Sequence, residues 1–140
     1  MSAARVLVVD DHPSIRLGLQ KALASKGYVV ETASDGQQAL EVFRSFQPHA
    51  MVLDVMMPKE NGFRLSRKIK MLGTLGDGVM VPKILLITAR RVDGEPERED
   101  ALFAYSMADD LLYKPFKLDD VISRVRTLLG IRTPSPVSGP

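Results

Sequence analysis

The 140-residue chain has no cysteine. Neither a disulfide framework nor a thiolate metal site can therefore form. Its charge is nearly balanced: 19 Lys and Arg against 17 Asp and Glu leave a net +2, too little to argue for a nucleic-acid partner. Arg64, Arg67, Lys68 and Lys70 cluster on one predicted helix and read as a solvated face rather than a phosphate-binding stripe. No apolar run approaches the roughly 20 residues of a membrane span. The first five residues, Met-Ser-Ala-Ala-Arg, lack the apolar region of a signal peptide. A cytoplasmic protein without membrane contact is the simplest expectation. What remains is ordinary for a globular domain, with 45% hydrophobic and 26% charged residues. A chain of this length suits one domain and can bury roughly two-thirds of its unfolded surface.

Within that composition, four short apolar runs end in polar groups. Val6-Leu7-Val8-Val9 runs into Asp10-Asp11, Met51-Val52-Leu53 into Asp54, Ile84-Leu85-Leu86-Ile87 into Thr88, and Leu111-Leu112-Tyr113 into Lys114. Runs of this length read as buried strands. A further β-branched run at 28–32 supplies a fifth. Between them lie helical stripes: Ile15, Leu19, Ala22 and Leu23; Ala39, Leu40, Phe43 and Phe46; Leu65, Ile69 and Leu72; Ala101, Leu102 and Tyr105; and Leu118, Val121, Ile122, Val125, Leu128 and Leu129. Pro13 opens the first helix and Gly27 stops it. Ser34 and Gln37 have capping-box spacing. Residues 73–81 read as a flexible glycine-rich loop, and the charged stretch 90–100 delays the fourth helix to near Glu97. Residues 131–140, with three prolines, read as a disordered Pro/Ser-rich tail or linker after a domain spanning 1–130.

Strict strand–helix alternation implies a parallel sheet covered by helices on both faces, with right-handed crossovers. Ligands of such sheets bind at the carboxyl edge, where Asp10, Asp11, Asp54, Thr88 and Lys114 would collect. Three carboxylates there repel one another. A hard divalent cation resolves the conflict, and the oxygen donors point to Mg²⁺. Metal, lysine and hydroxyl together could stabilise a phosphoryl group in transfer. Asp54, alone at its strand end opposite the acidic pair, is the better candidate nucleophile.

Asp10-Asp11, Asp54 followed by Met57-Pro58 and Gly62, Thr88-Ala89 and Lys114-Pro115-Phe116 resemble the receiver domain of bacterial two-component response regulators, over residues 5–130. The resemblance implies a flavodoxin-like (βα)5 doubly wound five-stranded parallel sheet in the order 2-1-3-4-5. It further implies that Asp54 accepts a phosphoryl group from a histidine kinase or phosphotransfer protein. Asp11, Asp54 and the backbone carbonyl of Met56 would bind Mg²⁺, with Asp10 acting through water. Thr88 and Lys114 would contact the phosphoryl group, and the Lys114-Pro115 bond would be cis. The module would not be an enzyme beyond its own phosphorylation and dephosphorylation. Phosphorylation would switch the face made by the fourth helix, fifth strand and fifth helix towards an output partner.

Some residues depart from the family pattern. Leu111 stands where the family places a switching aromatic, and Tyr113 is expected on the opposite face of that strand. Asp110, Asp120 and Arg124 match part of a family dimerisation pattern, which is compatible with a weak homodimer. A phosphate-independent interaction module is the main alternative. A phosphohydrolase is disfavoured because Met56 occupies the place of its second acid, and an FMN carrier because the pocket is acidic. His12 reads as an ordinary loop histidine, since the pocket already has its ligands.

Overall fold

The structure, a computed structural model, describes residues 3–75, 80–89 and 96–130. Five strands alternate with five helices: β1 (Arg5–Val9), α1 (Pro13–Ala24), β2 (Val29–Ala33), α2 (Gly36–Phe46), β3 (Ala50–Asp54), α3 (Gly62–Thr74), β4 (Lys83–Ala89), α4 (Pro96–Ser106), β5 (Asp110–Lys114) and α5 (Leu118–Leu128). All neighbouring strands are parallel, in the order β2-β1-β3-β4-β5. The parallel sheet covered on both faces is what the alternation implies, and its order is the flavodoxin-like one that the resemblance implies.

Side-chain alternation divides the core into two layers. Val6, Val8, Val52, Leu85 and Ile87 face α1 and α5 and pack on Leu19, Leu23, Val121 and Val125. Leu7, Val9, Met51, Leu53, Ile84 and Leu86 face α2 and α3 and pack on Phe43, Phe63, Leu65 and Ile69. Each fully buried aliphatic side chain contributes about 1.5–3 kcal/mol. β3 is buried along its whole length, because it is the central strand and both its faces are covered. The edge strand β2 instead alternates between exposed and covered positions.

Several local expectations need correction. α2 is capped by Asp35, whose Oδ1 accepts from the Gln38 backbone at 2.8 Å, while Gln38 Oε1 accepts from the Ser34 backbone at 2.7 Å. The cap is thus Asp35, one residue later than Ser34, and Gln38 rather than Gln37 reaches back, to Ser34 instead of to the cap residue itself. In α4, Ala101 and Tyr105 are exposed, and Leu102, Phe103 and Ser106 face inward. The inner stripe ends in a serine, which is buried because its hydroxyl donates to Phe103 O at 2.6 Å and its carbonyl accepts from Ser66 Oγ at 2.9 Å. Nor is the basic cluster of α3 wholly solvated. Lys70 is buried, donating to Pro82 O at 2.7 Å and to Asp109 Oδ2 at 2.6 Å. Arg67 lies over the Tyr105 ring, 4.8 Å from its centroid.

Gly73 belongs to α3 rather than to a loop. Of the segment expected to be a flexible loop, residues 76–79 lie outside the described residues, as do 90–95 and the tail at 131–140. Among the described residues no helix is long and apolar enough to cross a membrane.

Candidate functional site

The carboxyl ends of β1, β3 and β5 bring Asp10, Asp11, Asp54 and Lys114 together. Asp54 is the last residue of β3 and is 1% exposed. Its Oδ1 accepts from the Met56 backbone N–H at 3.2 Å and lies 3.4 Å from Lys114 Nζ. Its Oδ2 is buried without a hydrogen-bond partner, and so is Asp11 Oδ1. Asp10, 1% exposed, is held in place from three sides. Its N–H donates to Ala33 O at 3.1 Å, its carbonyl accepts from Arg16 Nη1 at 2.8 Å, and its Oδ1 accepts from the His12 backbone N–H at 2.8 Å.

The β3–α3 connection closes over Asp54. Gly62 N–H donates to Val55 O at 3.0 Å, Met56 bridges to Asn61, and Lys59 turns the chain with a left-handed φ of 71°. Asn61 caps α3, accepting from the Phe63 N–H at 2.7 Å. A cleft of about 540 Å³ opens here, lined by Asp11, Met56, Lys59, Glu60 and Asn61 among others. The Met56 side chain is 59% exposed, so its place in the site rests on its backbone.

Burial raises the Asp54 carboxyl above its ordinary 3.8, and the Asp10 charge pushes the same way. Lys114 and the Met56 N–H oppose the shift without cancelling it. The folded state therefore binds the Asp54 proton more tightly than the unfolded chain. The stability this confers is complete below the unfolded value of 3.8 and is lost as pH rises through the raised folded value. In chelator-treated protein, Asp54→Asn is expected to unfold at a higher temperature than the parent at neutral pH, and the difference should shrink as pH falls towards 4. Equal melting temperatures across that range, followed by circular dichroism, would contradict the buried charge conflict.

Orphaned, buried carboxylate oxygens suit a cation. Ligand atoms of Asp10, Asp11, His12 and Asp54 lie within 4.8 Å of one another. This all-oxygen set, His12 aside, fits the hard Mg²⁺ ion expected for the pocket.

Thr88 ends one rung beyond Ile87, the register partner of Asp54. It is 7% exposed, and its hydroxyl has only a marginal 3.5 Å contact with Ala89 O. Its own register partner is Tyr113. Tyr113 lies on the same face of β5 as Leu111, contrary to expectation, and its hydroxyl donates to Glu99 of α4. Residues two apart share a face of a strand, so the spacing alone already placed it there. The Lys114-Pro115 bond is cis, as the resemblance implies. Sequence reasoning missed Arg16, Glu99 and the position of His12. Only their offsets from Asp10, Thr88 and Tyr113 could have signalled them.

Comparison with known proteins gives this geometry a context. A family profile described as the response regulator receiver domain matches residues 6–126. The response regulator MprA of Mycolicibacterium vanbaalenii is 42% identical over 135 residues, covering 96% of this chain and 54% of that protein. MprA of Mycobacterium tuberculosis is 43% identical over 127 residues, covering 91% of this chain and 51% of that protein. The chain thus spans about half the length of these relatives. Among solved structures, Vibrio cholerae chemotaxis protein CheY4 superposes with a TM-score of 0.78 at 30% identity, covering 91% of this chain and 100% of that one. The Thermotoga maritima response regulator TrrA, solved with Mg²⁺ and BeF, gives 0.73 at 32% identity, covering 90% of this chain and 99% of that one. By sequence, fold and the grouping of its acidic residues, the chain belongs to the response regulator receiver family.

Proposed function

We propose that the chain is a phosphoacceptor switch in a two-component system, with Asp54 as the acceptor. The observation that carries this reading is a buried Asp54 with one oxygen 3.4 Å from Lys114 Nζ and the other unpartnered beside Asp11. The donor is a phosphohistidine on a kinase or phosphotransfer protein. An Asp54 oxygen attacks phosphorus, the P–N bond breaks, and the electron pair leaves on the imidazole nitrogen, giving an aspartyl phosphate.

Lys114 balances charge on Asp54 before transfer and on the phosphoryl oxygens after it. Thr88, with its hydroxyl weakly engaged, is free to donate to a phosphoryl oxygen. Asp11, Asp54 and the Met56 carbonyl would hold Mg²⁺, with Asp10 behind a water. When bound, the ion supplies charge neutralisation among the carboxylates and on the phosphoryl group. The Mg²⁺ and BeF complex of the Thermotoga maritima relative supports this assignment.

Phosphorylation would shift the α4-β5-α5 face towards a protein partner by population shift. Residues 1–130 would form the switching unit, acting in the cytoplasm on proteins rather than on nucleic acid or membrane. Asp110 and Arg124 pair within the chain at 2.9 Å, and Asp120 accepts from the Lys117 N–H at 3.1 Å. Any weak homodimer using these residues would first have to release them.

Wild type is expected to take up phosphoryl from acetyl phosphate and Mg²⁺, and Asp54→Asn to take up none, as read by intact-protein mass spectrometry. Undiminished uptake in the variant would refute Asp54 as acceptor. A second reading, a phosphate-independent interaction module, draws on Leu111 at the switch position and on the Tyr113 tie to Glu99. Beryllofluoride with Mg²⁺ separates the two readings. Amide shifts spreading from the pocket into residues 97–125 support the switch, whereas spectra identical with and without the mimic support the second reading.

A further inference from the structure

We propose that His12 gives the acidic pocket a nitrogen ligand and with it a second cation specificity, for divalent ions of the zinc and cobalt class. The inference rests on the reading of that pocket as a cation site. His12 Nδ1 stands 3.3 Å from Asp10 Oδ1 and 3.2 Å from Asp11 Oδ1. Ligands about 2.0–2.1 Å from a tetrahedral zinc stand about 3.3–3.4 Å from one another, so these separations are those of neighbouring ligands. The second contact is not a hydrogen bond, since Asp11 Oδ1 lacks any hydrogen-bond partner, and the buried Asp54 Oδ2 alongside lacks one too.

The ring is held where it is by its own backbone. The His12 N–H donates to Asp10 Oδ1 at 2.8 Å, and Pro13 follows as the first residue of α1. In the Nδ1–H tautomer, Nδ1 donates to Asp10 Oδ1 at 3.3 Å; a bound ion would select the Nε2–H tautomer and take the freed Nδ1 lone pair. The chain's other histidine is used differently, because His49 Nδ1 accepts from the Arg5 N–H at 2.8 Å.

Oxygen donors alone favour Mg²⁺, whereas an imidazole adds affinity for Co²⁺ and Zn²⁺. Such an ion would take the carboxylates that Mg²⁺ and the phosphoryl group require. Zinc-class ions therefore compete with Mg²⁺ for the pocket.

The test uses the full chain after chelator treatment. Co²⁺ is followed by its visible absorption, Zn²⁺ by calorimetry and Mg²⁺ by amide NMR. The His12 side chain makes no cap hydrogen bond and is 59% exposed, so His12→Ala keeps the fold. It should weaken Co²⁺ and Zn²⁺ binding by about tenfold or more, while Mg²⁺ affinity changes by less than about twofold. The imidazole nitrogen resonances give a direct reading, since only two histidines are present. Zn²⁺ should move Nδ1 of His12 and leave His49 in place. Unchanged Co²⁺ affinity in His12→Ala, or a shift at His49 instead, overturns the inference while leaving a Mg²⁺ site intact. Failure of the parent to bind any of the three ions overturns both this inference and the cation reading of the pocket.

Discussion

Gly62→Ala should destabilise the protein by about 3 kcal/mol and dislodge the loop behind Asp54. In isolation the substitution would help, because alanine is favoured over glycine in a helix by about 0.5–1 kcal/mol. Position reverses the sign. A Cβ on Gly62 would stand 2.5 Å from Val55 Cα and 2.7 Å from Asp54 O. Both neighbours are backbone, so relief must come from moving the main chain at the end of β3. That shift also stretches the 3.0 Å bond from Gly62 N–H to Val55 O. Phosphoryl uptake should fall with stability, since Asp54 and the Met56 amide share this backbone. Gly36→Ala is the control. Its Cβ would meet Glu60 Cγ at 2.8 Å and Glu60 Cβ at 3.0 Å, side-chain rather than backbone atoms but near the root of the side chain, and the substitution should cost about 1–2 kcal/mol, less than Gly62→Ala. Urea midpoints for the two variants check the pair, and equal midpoints would refute the distinction.

Lys70→Met is expected to cost about 2–3 kcal/mol. Removing one member of a buried ion pair typically costs about 3–5 kcal/mol. The lower figure applies because the Asp109 side chain is 24% exposed, and water can partly solvate the charge left behind. The effect reaches beyond the pair. Asp109 Oδ2 also accepts from the Ile84 N–H at 2.8 Å, and the Asp109 N–H donates to Ile84 O at 2.9 Å. Lys70 thus fastens α3 to the amino-terminal ends of β4 and β5. Adding Asp109→Asn should recover part of the loss, because an amide keeps an acceptor for Ile84 without a stranded charge. A double variant no more stable than Lys70→Met in urea titration would contradict this account.

The contrast between these two sites shows what was legible in the sequence. β1, β3 and β4 are covered on both faces, so they are written as continuous apolar runs. Their polar ends announce the pocket directly, and Asp10, Asp11, Asp54 and Lys114 do meet there. The misreadings fall where a polar side chain is buried by a tertiary partner. Lys70 looked solvated because its partners lie 12 and 39 residues away. The inner face of α4 was misphased because Ser106, not an apolar residue, completes it. The cap of α2 slipped by one because Ser34 and Asp35 are both good cap residues. Tyr113 is a different case. Period-two alternation already placed it with Leu111, and only its bond to Glu99 required the structure.

The burial of β3 from end to end also sets the mechanical character of the molecule. Asp54 sits at the stiff centre, where any displacement would open voids on both sides of the sheet at once. α4 is the compliant element: among its residues with described side chains only Ser106 is fully buried, and such regions yield at low free-energy cost. β4 and β5 connect the two, with Thr88 beside Tyr113 on one rung and Tyr113 tied to Glu99. In the proposed switch, this gradient of stiffness would let a disturbance at the pocket be taken up through the β4–β5 edge at α4, where the structure yields most easily.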